Sequence, residues 1–480
     1  MTKIVAGVEG KMRSIVKYQV GCTLRWFLRM AFEVINPGIV FLHNWHLDLI
    51  CDALQSCVDG DGGRLILNIP PRYLKSVCVS VAFPAWILAN DPTKRIIVCS
   101  YSKALSLKHA ADCRAIMKSD WYRDFFPDSR IVTGGDTQER FKTSSNGFYF
   151  ATSVGGTLLG EGGDFLIMDD PNDPSSAFSC KKRNAVVEFF NNCLLSRLNN
   201  QKSGVIVLVM QRLHEEDLSG FLIENGDSLW QKICVPAIAN VDSVVSFNGK
   251  DYCIRKKGDV IQESREDINL LNGKMKIMGS YMFSAQYQQS PMSYSNGLVK
   301  RSWIKYLEGD YKSKCIKYCI SIDCAKSIAD SADYTAIAVI GILKDGRHVL
   351  VNMIRKRMTY PDLKKKVIDL VESISAESVL VEDASNGASL IQELQGKFYG
   401  KIIGIQPRKD KVARFNYALV AIENGHLLFL ENSEFSKDFF DELFLFPFGK
   451  HDDQVDTISQ YFMWLSTKKI RSRVPKIRIL

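Results

Sequence analysis

Residues 65–89, LILNIPPRYLKSVCVSVAFPAWILA, decide the fold, and the rest of the chain is best understood from them. Residues 65–69 form a short, almost wholly apolar run, as in a strand buried in a parallel sheet. Two prolines follow and end the strand, because proline cannot donate to a hydrogen-bonded ladder. The stretch therefore predicts a strand, a loop and then a helix.

The loop carries Arg72, Lys75 and Ser76 at the point where the helix begins. Backbone N–H groups at a helix N-terminus bind anions. In a phosphate-binding loop the lysine reaches the outer phosphates of a nucleotide, and the serine hydroxyl contacts Mg²⁺. The usual pattern G-x-x-x-x-G-K-[ST] has glycine where this chain has Ile69 and Leu74, so a solvated turn that opens a helix is the alternative.

Residues 164–171, DFLIMDDP, place two carboxylates at the end of a second apolar run. This is the composition of a Walker B strand, in which Asp169 holds Mg²⁺ through water and Asp170 polarises the attacking water. A solvated turn is again the alternative. The run follows the loop by about a hundred residues of alternating strands and helices, which together predict a mostly parallel sheet and ATP hydrolysis.

A third apolar run, residues 204–210, ends in Gln211, Arg212 and His214. Ligands bind at the carboxyl ends of strands in open α/β sheets, so these side chains are candidates for sensing the γ-phosphate. The alternative is a charged helix cap formed by Glu215, Glu216 and Asp217.

The second half of the chain begins a different pattern at residues 318–324. Strands predicted at residues 335–343 and 348–357 flank an Asp-Gly turn, which is a strong hairpin signal. Helices and strands alternate after the hairpin, from residue 361 to residue 424. Three antiparallel strands followed by α/β units predict a mixed α/β domain with an RNase H-like fold.

Acidic residues stand at the ends of several of these elements. Carboxylates that converge from separate elements bind two divalent ions about 4 Å apart, which activate water and stabilise the leaving oxygen of a phosphodiester. The candidate ligands of Mg²⁺ or Mn²⁺ are Asp323, Glu382, Asp383, Asp452, Asp453 and Asp456. Each acid alone fits a surface position or a helix cap better than a metal site, whereas their order along the chain favours a nuclease site.

Size and composition set the remaining limits. A chain of 480 residues exceeds one ordinary core, and the net charge of +9 is compatible with a polyanionic partner. Thirteen cysteines without a C-x-x-C pair indicate a reducing compartment, and we expect a soluble protein without a membrane span. The predicted division is a helical segment (1–40), a P-loop ATPase domain (41–240), a connecting region (241–312), an RNase H-like nuclease domain (313–467) and a basic tail (468–480).

Together the motifs resemble the large terminase subunit of tailed bacteriophages, an additional-strand P-loop ATPase joined to an RNase H-like nuclease. The resemblance rests on residues 70–76, 169–171, 211–218 and 284–289, and on the acids of the second half. It implies that Arg72, Lys75 and Ser76 bind ATP and Mg²⁺, that Asp169 and Asp170 are the Walker B acids, and that residues 211–214 are the coupling motif. It assigns Asp323, Glu382 and Asp453 as nuclease metal ligands, with Asp452 or Asp456 as substitutes.

The resemblance further implies a motor that translocates double-stranded DNA into a prohead and cuts concatemeric DNA. Its partners would be a portal ring, on which it forms a pentamer, and a small terminase subunit that selects the site; a monomer in solution is left open. The place of action is the cytoplasm of the bacterial host, outside the mature virion. The rival interpretations are a recombination or repair nuclease with an accessory ATPase, and a decayed prophage remnant that binds DNA or portal.

Two residues depart from the family pattern. Asp170 stands where many relatives carry glutamate, and Glu161 stands where many carry an arginine that reaches a neighbouring subunit's ATP. An anion there removes transition-state stabilisation, so either another arginine, Arg140 or Arg183, takes that role or the motor is impaired.

Overall fold

The computed structural model describes residues 9–60, 63–132, 134, 136–158, 160–226, 230–293, 297–325, 334–384, 386–406, 410–431 and 433–473. The chain forms two compact units. The first runs to Met275 and takes in Ser280–Met292; the second comprises Lys276–Gly279 and the chain from Ser293 onward.

The first unit is built on a sheet of seven strands in the described residues, in the order β3-β4-β2-β5-β6-β1-β7. Its strands are β1 (Arg64–Asn68), β2 (Arg95–Ser100), β3 (Arg140–Lys142), β4 (Phe148–Ser153), β5 (Phe165–Asp169), β6 (Val205–Met210) and β7 (Gln231–Cys234). All pairs are parallel except β3 with β4. The strand β6 lies between β1 and β5, which is the additional strand that the resemblance predicts.

Helices cover both faces of this sheet. They are α1 (Glu9–Cys22), α2 (Leu24–Ile35), α3 (Trp45–Asp59), α4 (Phe83–Asn90), α5 (Lys103–Lys118), α6 (Asp120–Phe125), α7 (Cys180–Glu188) and α8 (Leu218–Asn225). Two segments are π-helical, Val77–Ala82 and Phe189–Leu194. Successive residues of β1 face opposite layers: Leu65 and Leu67 pack in one core and Ile66 packs in the other, as strand geometry requires.

The predicted connecting region, 241–312, is largely folded as part of the first unit. It begins with an antiparallel hairpin of β8 (Ser243–Phe247) and β9 (Lys250–Arg255). Two unpredicted helices follow, α9 (Ile268–Met278) and α10 (Ser280–Gln286). Tyr252 donates to Asp52 on α3 at 2.6 Å, and Lys274 pairs with Glu266. These contacts join residues 241–275 to the first unit, whereas residues 276–279 and 293–312 belong to the second.

The second unit contains a six-stranded mixed sheet in the described residues, ordered β14-β13-β10-β11-β12-β15. Its strands are β10 (Cys315–Asp323), β11 (Thr335–Leu343), β12 (His348–Lys356), β13 (Ser378–Glu382), β14 (Ile402–Ile405) and β15 (Leu427–Leu428). The antiparallel run β10-β11-β12 continues on its other side into the parallel strands β13 and β14. This is the predicted RNase H-like order, with β15 as an extra edge strand.

The helices of the second unit are α11 (Tyr311–Lys314), α12 (Tyr360–Ser373), α13 (Asn386–Gln395), α14 (Lys411–Glu423), α15 (Ser436–Leu445) and α16 (Asp453–Arg473). Ser321 of β10 donates to the carbonyl of Thr457 at 2.7 Å, which fixes α16 against the central strand. The helix runs to Arg473, so the start of the predicted basic tail is helical, and residues 474–480 lie outside the described residues. No helix of the described chain combines the length and apolarity that crossing a bilayer requires.

Candidate active sites

The predicted phosphate-binding loop after β1 holds two residues other than glycine in left-handed backbone. Leu74, which stands where the usual pattern has glycine, has a φ of 60°, and Arg72 has a φ of 71°. Left-handed backbone at residues other than glycine costs about 1–3 kcal/mol and persists where the surrounding fold imposes it. The surrounding fold therefore holds two residues of this loop in strained backbone, and Arg72 is exposed there.

Lys75 and Asp170 form an ion pair inside this site. The Lys75 Nζ lies 2.6 Å from the Asp170 Oδ2, and both side chains are largely shielded from solvent. Burial raises the pKa of the Asp170 carboxyl and the charge of Asp169 adds to the rise, while Lys75 opposes it. Asp170 also has a positive φ, 45°, and accepts from the backbone N–H of Gln211 at 3.1 Å. In this arrangement the lysine neutralises the acid that the sequence predicts to act on water.

The Asp169 carboxylate is fully buried and held from three sides. Its oxygens accept from Ser76 Oγ at 2.9 Å and from Ser80 Oγ at 2.7 Å. The Nδ1 of His109, on α5, lies 3.6 Å away. Ser80 belongs to the π-helical segment after the loop, and π-helical turns often occur at functional sites. Sequence reasoning missed Ser80 and His109, although Ser80 follows Ser76 by four residues and so shares its helix face.

The segment after β6 divides into two parts. Gln211 lies beside Asp170, and its side-chain Oε1 is buried without a hydrogen-bond partner among the described residues. Arg212 is directed into its own loop, where its Nε is 3.0 Å from Asp217. Asp217 in turn accepts from the backbone N–H of Gly220 at 2.8 Å and caps α8. Arg212 thus orients Asp217, which forms the helix cap that was the alternative prediction for this segment.

His214 is buried in the same loop, and its Nδ1 accepts from the backbone N–H of Glu216 at 3.0 Å. Burial lowers the pKa of His214 to about 4, and the nearby charge of Arg183 contributes. The imidazole is therefore neutral near pH 7 and ordered by the loop.

Arg140 and Arg183, which we expect to act in place of the arginine replaced by Glu161, both make contacts within the chain. Arg140 pairs with Glu161 itself, and its guanidinium stacks 4.4 Å from the ring centroid of Phe148. Arg183 is buried, pairs with Glu216 at 2.7 Å and donates to the carbonyl of Ala177 at 2.9 Å. For either to reach a neighbouring molecule, these contacts must first break.

The second unit brings the predicted nuclease acids together. Asp323 is the last residue of β10 and Glu382 is the last residue of β13. The residues before them, Ile322 and Val381, are paired, so the two acids lie side by side at one edge of the sheet. Helix α16 adds Asp453 and Asp456. These four acids and Asp452 line one cavity of about 150 Å³. Asp383 is exposed and does not line it, because consecutive strand-end residues point to opposite sides.

Two basic residues of α14 bridge these carboxylates. Lys411 Nζ lies 2.7 Å from Asp452 and 3.2 Å from Asp456. Arg414, almost fully buried, lies 3.1 Å from Glu382 and 3.3 Å from Asp456. Neither residue was predicted from the sequence, because their relation to the acids arises only from packing between α14 and α16.

The charge concentration shifts the proton affinity of the cavity acids. The pKa of Asp323 lies well above its usual range, because the group is buried and Asp456, Glu382 and Asp453 face it. Burial raises the pKa of Asp456 to about 6, against the opposing pull of Arg414 and Lys411. Carboxylates that repel each other in a buried cavity favour a divalent cation as counter-ion.

Within the described residues, no three His, Cys, Asp or Glu side chains already form a metal-binding group. The donor set nevertheless fits a hard cation such as Mg²⁺ or Mn²⁺, because it is entirely carboxylate and shares a cavity. Lys411 and Arg414 occupy positions between these acids, so a metal ion has to displace at least part of their contacts.

The N-terminus of α16 is positioned by Glu442, which comes from α15. Its Oε1 accepts from the backbone N–H groups of Gln454 and Val455, at 2.7 and 3.0 Å. Glu442 is buried, so it performs the work of a helix cap from a different element. Sequence reasoning missed it, because α15 itself was not predicted.

Comparison with known proteins agrees with these observations. Residues 320–464 match the family model of the Terminase RNaseH-like domain. Two crystal forms of the large terminase of a thermophilic bacteriophage are similar in fold, with 11% and 12% sequence identity and TM-scores of 0.52 and 0.51. The similarity covers 86% and 89% of this chain and 98% and 100% of theirs. The large terminase of bacteriophage HK97 also matches, at 10% identity over 85% of this chain and 90% of its own, with a TM-score of 0.41. A search of curated proteins finds no match.

Proposed function

We propose that this chain, which has the fold of large terminase subunits and carries a terminase RNaseH-like domain, is the ATP-driven motor and nuclease of a DNA-packaging machine. The observation that carries the proposal is the convergence of Asp323, Glu382, Asp453 and Asp456 on one cavity within the matched domain. The predicted resemblance and fold class are confirmed; the activities below are the proposal.

In the first unit, the nucleotide phosphates take over Lys75 from Asp170 when ATP binds. The released Asp170 is then available to orient and deprotonate the attacking water, and its raised pKa suits it to accept a proton. Ser76 and Asp169 would hold Mg²⁺, which would shield the charge of the phosphates. Gln211 lies against Asp170 and transmits the loss of the γ-phosphate to the loop that Arg212 and Asp217 organise.

In the second unit, Asp323, Glu382, Asp453 and Asp456 are the ligand set, and Asp452 is a substitute. Two divalent ions held there would supply Lewis acidity for the attack on a phosphodiester. The residues of the chain contribute alignment: the sheet fixes Asp323 and Glu382, and Glu442 fixes the helix turn that carries Asp453. Lys411 and Arg414 bridge the acids through their ion pairs and so fix the carboxylates relative to one another.

As in the resemblance, the partners of this protein are double-stranded DNA, a portal ring on a prohead and a small terminase subunit, in the host cytoplasm. Phosphate contacts carry no sequence information, so a separate subunit has to choose the cutting site. A pentamer on the portal would provide the neighbouring subunits that an arginine contributed in trans requires.

The nuclease is tested by nicking of supercoiled plasmid in Mg²⁺ or Mn²⁺. We expect Asp323→Asn to reduce the rate at least about a hundredfold, because it removes a metal-ligand charge at the centre of the cavity. Asp383→Asn is the matched control, since Asp383 is a nearby acid outside the cavity. Nicking that persists in Asp323→Asn at the wild-type rate would place the nuclease elsewhere.

The motor is tested by DNA-stimulated ATP hydrolysis. We expect Lys75→Ala to reduce hydrolysis to background, because it removes the phosphate ligand and leaves Asp170 buried without its partner. Lys94→Ala, a surface lysine paired with Asp91 beside β2, should retain the wild-type rate. Background hydrolysis in the wild type as well would favour the decayed remnant.

A further inference from the structure

A glutamine just beyond helix α10 connects this helix to the loop that follows β6. Gln289 is the last residue of SAQYQQ, residues 284–289, one of the motifs on which the resemblance rests. Its side chain is buried, and its Oε1 accepts from the backbone N–H of Arg212 at 2.9 Å. Its Nε2 donates to the carbonyl of Gln286, the last residue of α10. Because the side-chain amide is held at both ends, a displacement of either segment is passed to the other.

The loop after β6 takes its shape from side chains, because three successive backbone N–H groups donate to side-chain oxygens. The three pairs are Gln211 with Asp170 at 3.1 Å, Arg212 with Gln289 at 2.9 Å, and Leu213 with Asp217 at 2.8 Å. The first two N–H groups belong to consecutive planar peptide groups, so only the φ and ψ rotations of Gln211 separate them. We therefore expect a change in the contact at Asp170 to alter the hydrogen bond to Gln289.

The backbone at both ends of this connection is strained. Gln289 is left-handed, with a φ of 55°, and Asp170 has a φ of 45°. Left-handed backbone is unfavourable for residues other than glycine, and it persists where the surrounding fold imposes it, often at functional sites. At the end of a helix glycine is the residue that adopts this conformation most easily. A glutamine in this place indicates that its side-chain amide has a role.

The connection leads to the end of the first unit. Ser280–Met292 belongs to that unit, and the chain enters the second unit at Ser293. We call residues 283–292, which include Gln289, the exit segment. A cavity of about 220 Å³ is lined by residues of the loop, of α8 and of the exit segment. The exit segment therefore borders open space here and can shift without displacing a packed core.

We propose that Gln289 is a positioning residue that transmits the nucleotide state from the loop after β6 to the exit segment, and so to the chain that enters the second unit. The inference rests on the proposed ATP hydrolysis in the first unit. When the phosphates of ATP take over Lys75, the contact between Asp170 and Gln211 changes. Gln289 accepts from the next N–H group along the chain, so this change moves the exit segment. Loss of the γ-phosphate reverses the movement.

The test is hydrogen exchange of the full-length protein, measured by mass spectrometry in Mg²⁺ with ADP and with a non-hydrolysable ATP analogue. In the wild type we expect the two nucleotides to give different exchange rates, both in residues 211–217 and in the exit segment. Gln289→Gly relaxes the left-handed backbone and removes the amide, so the difference should persist in residues 211–217 and disappear from the exit segment. Gln289→Asn keeps an amide and tolerates left-handed backbone, but its side chain is too short to reach Arg212, and it should lose the same difference.

Gln288→Ala is the matched control. Gln288 precedes Gln289, and its amide accepts from the N–H of Ile238 and donates to the carbonyl of Ile238, each at 2.9 Å. Gln288→Ala should therefore lower the unfolding midpoint and keep the nucleotide-dependent difference in the exit segment. Gln289→Gly should unfold near the wild-type temperature, because relief of the strained backbone offsets the lost hydrogen bonds. A purely structural role for Gln289 predicts instead that the exchange difference follows stability in both variants.

The outcomes separate this coupling from the ATP chemistry on which it rests. If the exit segment of Gln289→Gly keeps the wild-type difference, or if the wild type responds only in residues 211–217, the role of Gln289 is overturned and the proposed ATP hydrolysis stands. If neither segment of the wild type distinguishes the two nucleotides, both proposals are refuted.

Discussion

Single residues in the first unit show how a buried charge is positioned for chemistry. Asp169 has no exposed surface, so its carboxylate must be satisfied by the protein, and Ser76, Ser80 and His109 surround it. The two serines share one helix face, while His109 approaches from α5. Asp169 is the Mg²⁺ ligand that we propose, and a carboxylate whose orientation is fixed in this way would lose little entropy when the ion binds.

Ser80→Ala tests this positioning. A hydrogen bond to a charged group contributes about 1.5–3 kcal/mol, so we expect ATP hydrolysis to fall at least about tenfold and to require more Mg²⁺ for half-maximal rate. Ser106→Ala is the control, because Ser106 is equally buried and donates to the carbonyl of Thr152, away from Asp169. Equal Mg²⁺ dependence in the two variants would show that Ser80 does not position the acid.

His46 makes stability depend on pH. Burial lowers its pKa from 6.5 to about 4, with help from the charges of Arg265 and His43. The folded protein therefore binds the proton less readily than the unfolded chain, and the stability conferred by neutral His46 is complete above pH 6.5 and lost as pH falls to about 4. The loss over this window is about 3 kcal/mol.

The measurement is the unfolding midpoint as a function of pH, from about neutral down to the lowered pKa of His46. His46→Gln removes the titrating group, so its midpoint should decline less steeply than that of the wild type, whatever its absolute stability. His426→Gln, which removes an exposed histidine of the second unit, is the control and should keep the steep decline. Parallel curves for all three proteins would exclude His46 as the source.

At the scale of elements, the sequence predicts best where burial is continuous. The strand at residues 335–343 was predicted with its observed bounds, because it is an apolar run that a polar Asp-Gly turn follows. The edge strand β7 buries only one of its four residues and β15 has two residues, so neither carries a periodic signal. Helices α9 and α10 were missed where polar residues interrupt the pattern.

The same reasoning separates the site residues that were predicted from those that were not. Asp169, Asp323 and Glu382 were found because each ends a predicted strand, and parallel strands end at a common edge. The residues that were missed lie on other elements and reach the sites through tertiary packing, which no local sequence pattern predicts. They are Ser80, His109, Lys411, Arg414 and Glu442.

The prediction at the scale of elements concerns Glu442. Its carboxylate supports the first turn of α16, and with it Asp453 and Asp456. Glu442→Ala leaves two buried backbone N–H groups without their acceptor, at a cost of about 1–3 kcal/mol for each group. We expect a lower unfolding midpoint of the second unit and plasmid nicking slowed at least about tenfold.

Asp441→Ala provides the comparison, since Asp441 precedes Glu442 on α15 and is exposed. It should change neither quantity. Normal nicking in a destabilised Glu442→Ala would mean that the acids of α16 keep their positions without this support.

At the scale of the whole molecule, each proposed chemistry is contained in one compact unit. Lys75, Asp169 and Asp170 belong to the first unit, and all the acids of the nuclease cavity belong to the second. Each sheet has its own hydrophobic core, formed around Leu67 and Ile167 in one unit and around Ile320 and Val379 in the other. A ligand that binds one site therefore stabilises the unit that contains that site.

We therefore expect each ligand to stabilise the protein through its own site, independently of the other site. At about a hundredfold excess over its dissociation constant, a ligand that binds only the folded state adds about 2.7 kcal/mol of stability. A non-hydrolysable ATP analogue with Mg²⁺ should raise the unfolding midpoint of the wild type, and Lys75→Ala should abolish that rise. Mn²⁺ without nucleotide should also raise the midpoint, and Asp323→Asn should abolish this second rise. Each variant should keep the response to the other ligand, with Arg347→Ala, a control at the turn between β11 and β12, keeping both.

Loss of both responses in either variant would mean that one unit cannot fold or bind without an intact site in the other, because only that coupling lets a single side chain control two separate ligands.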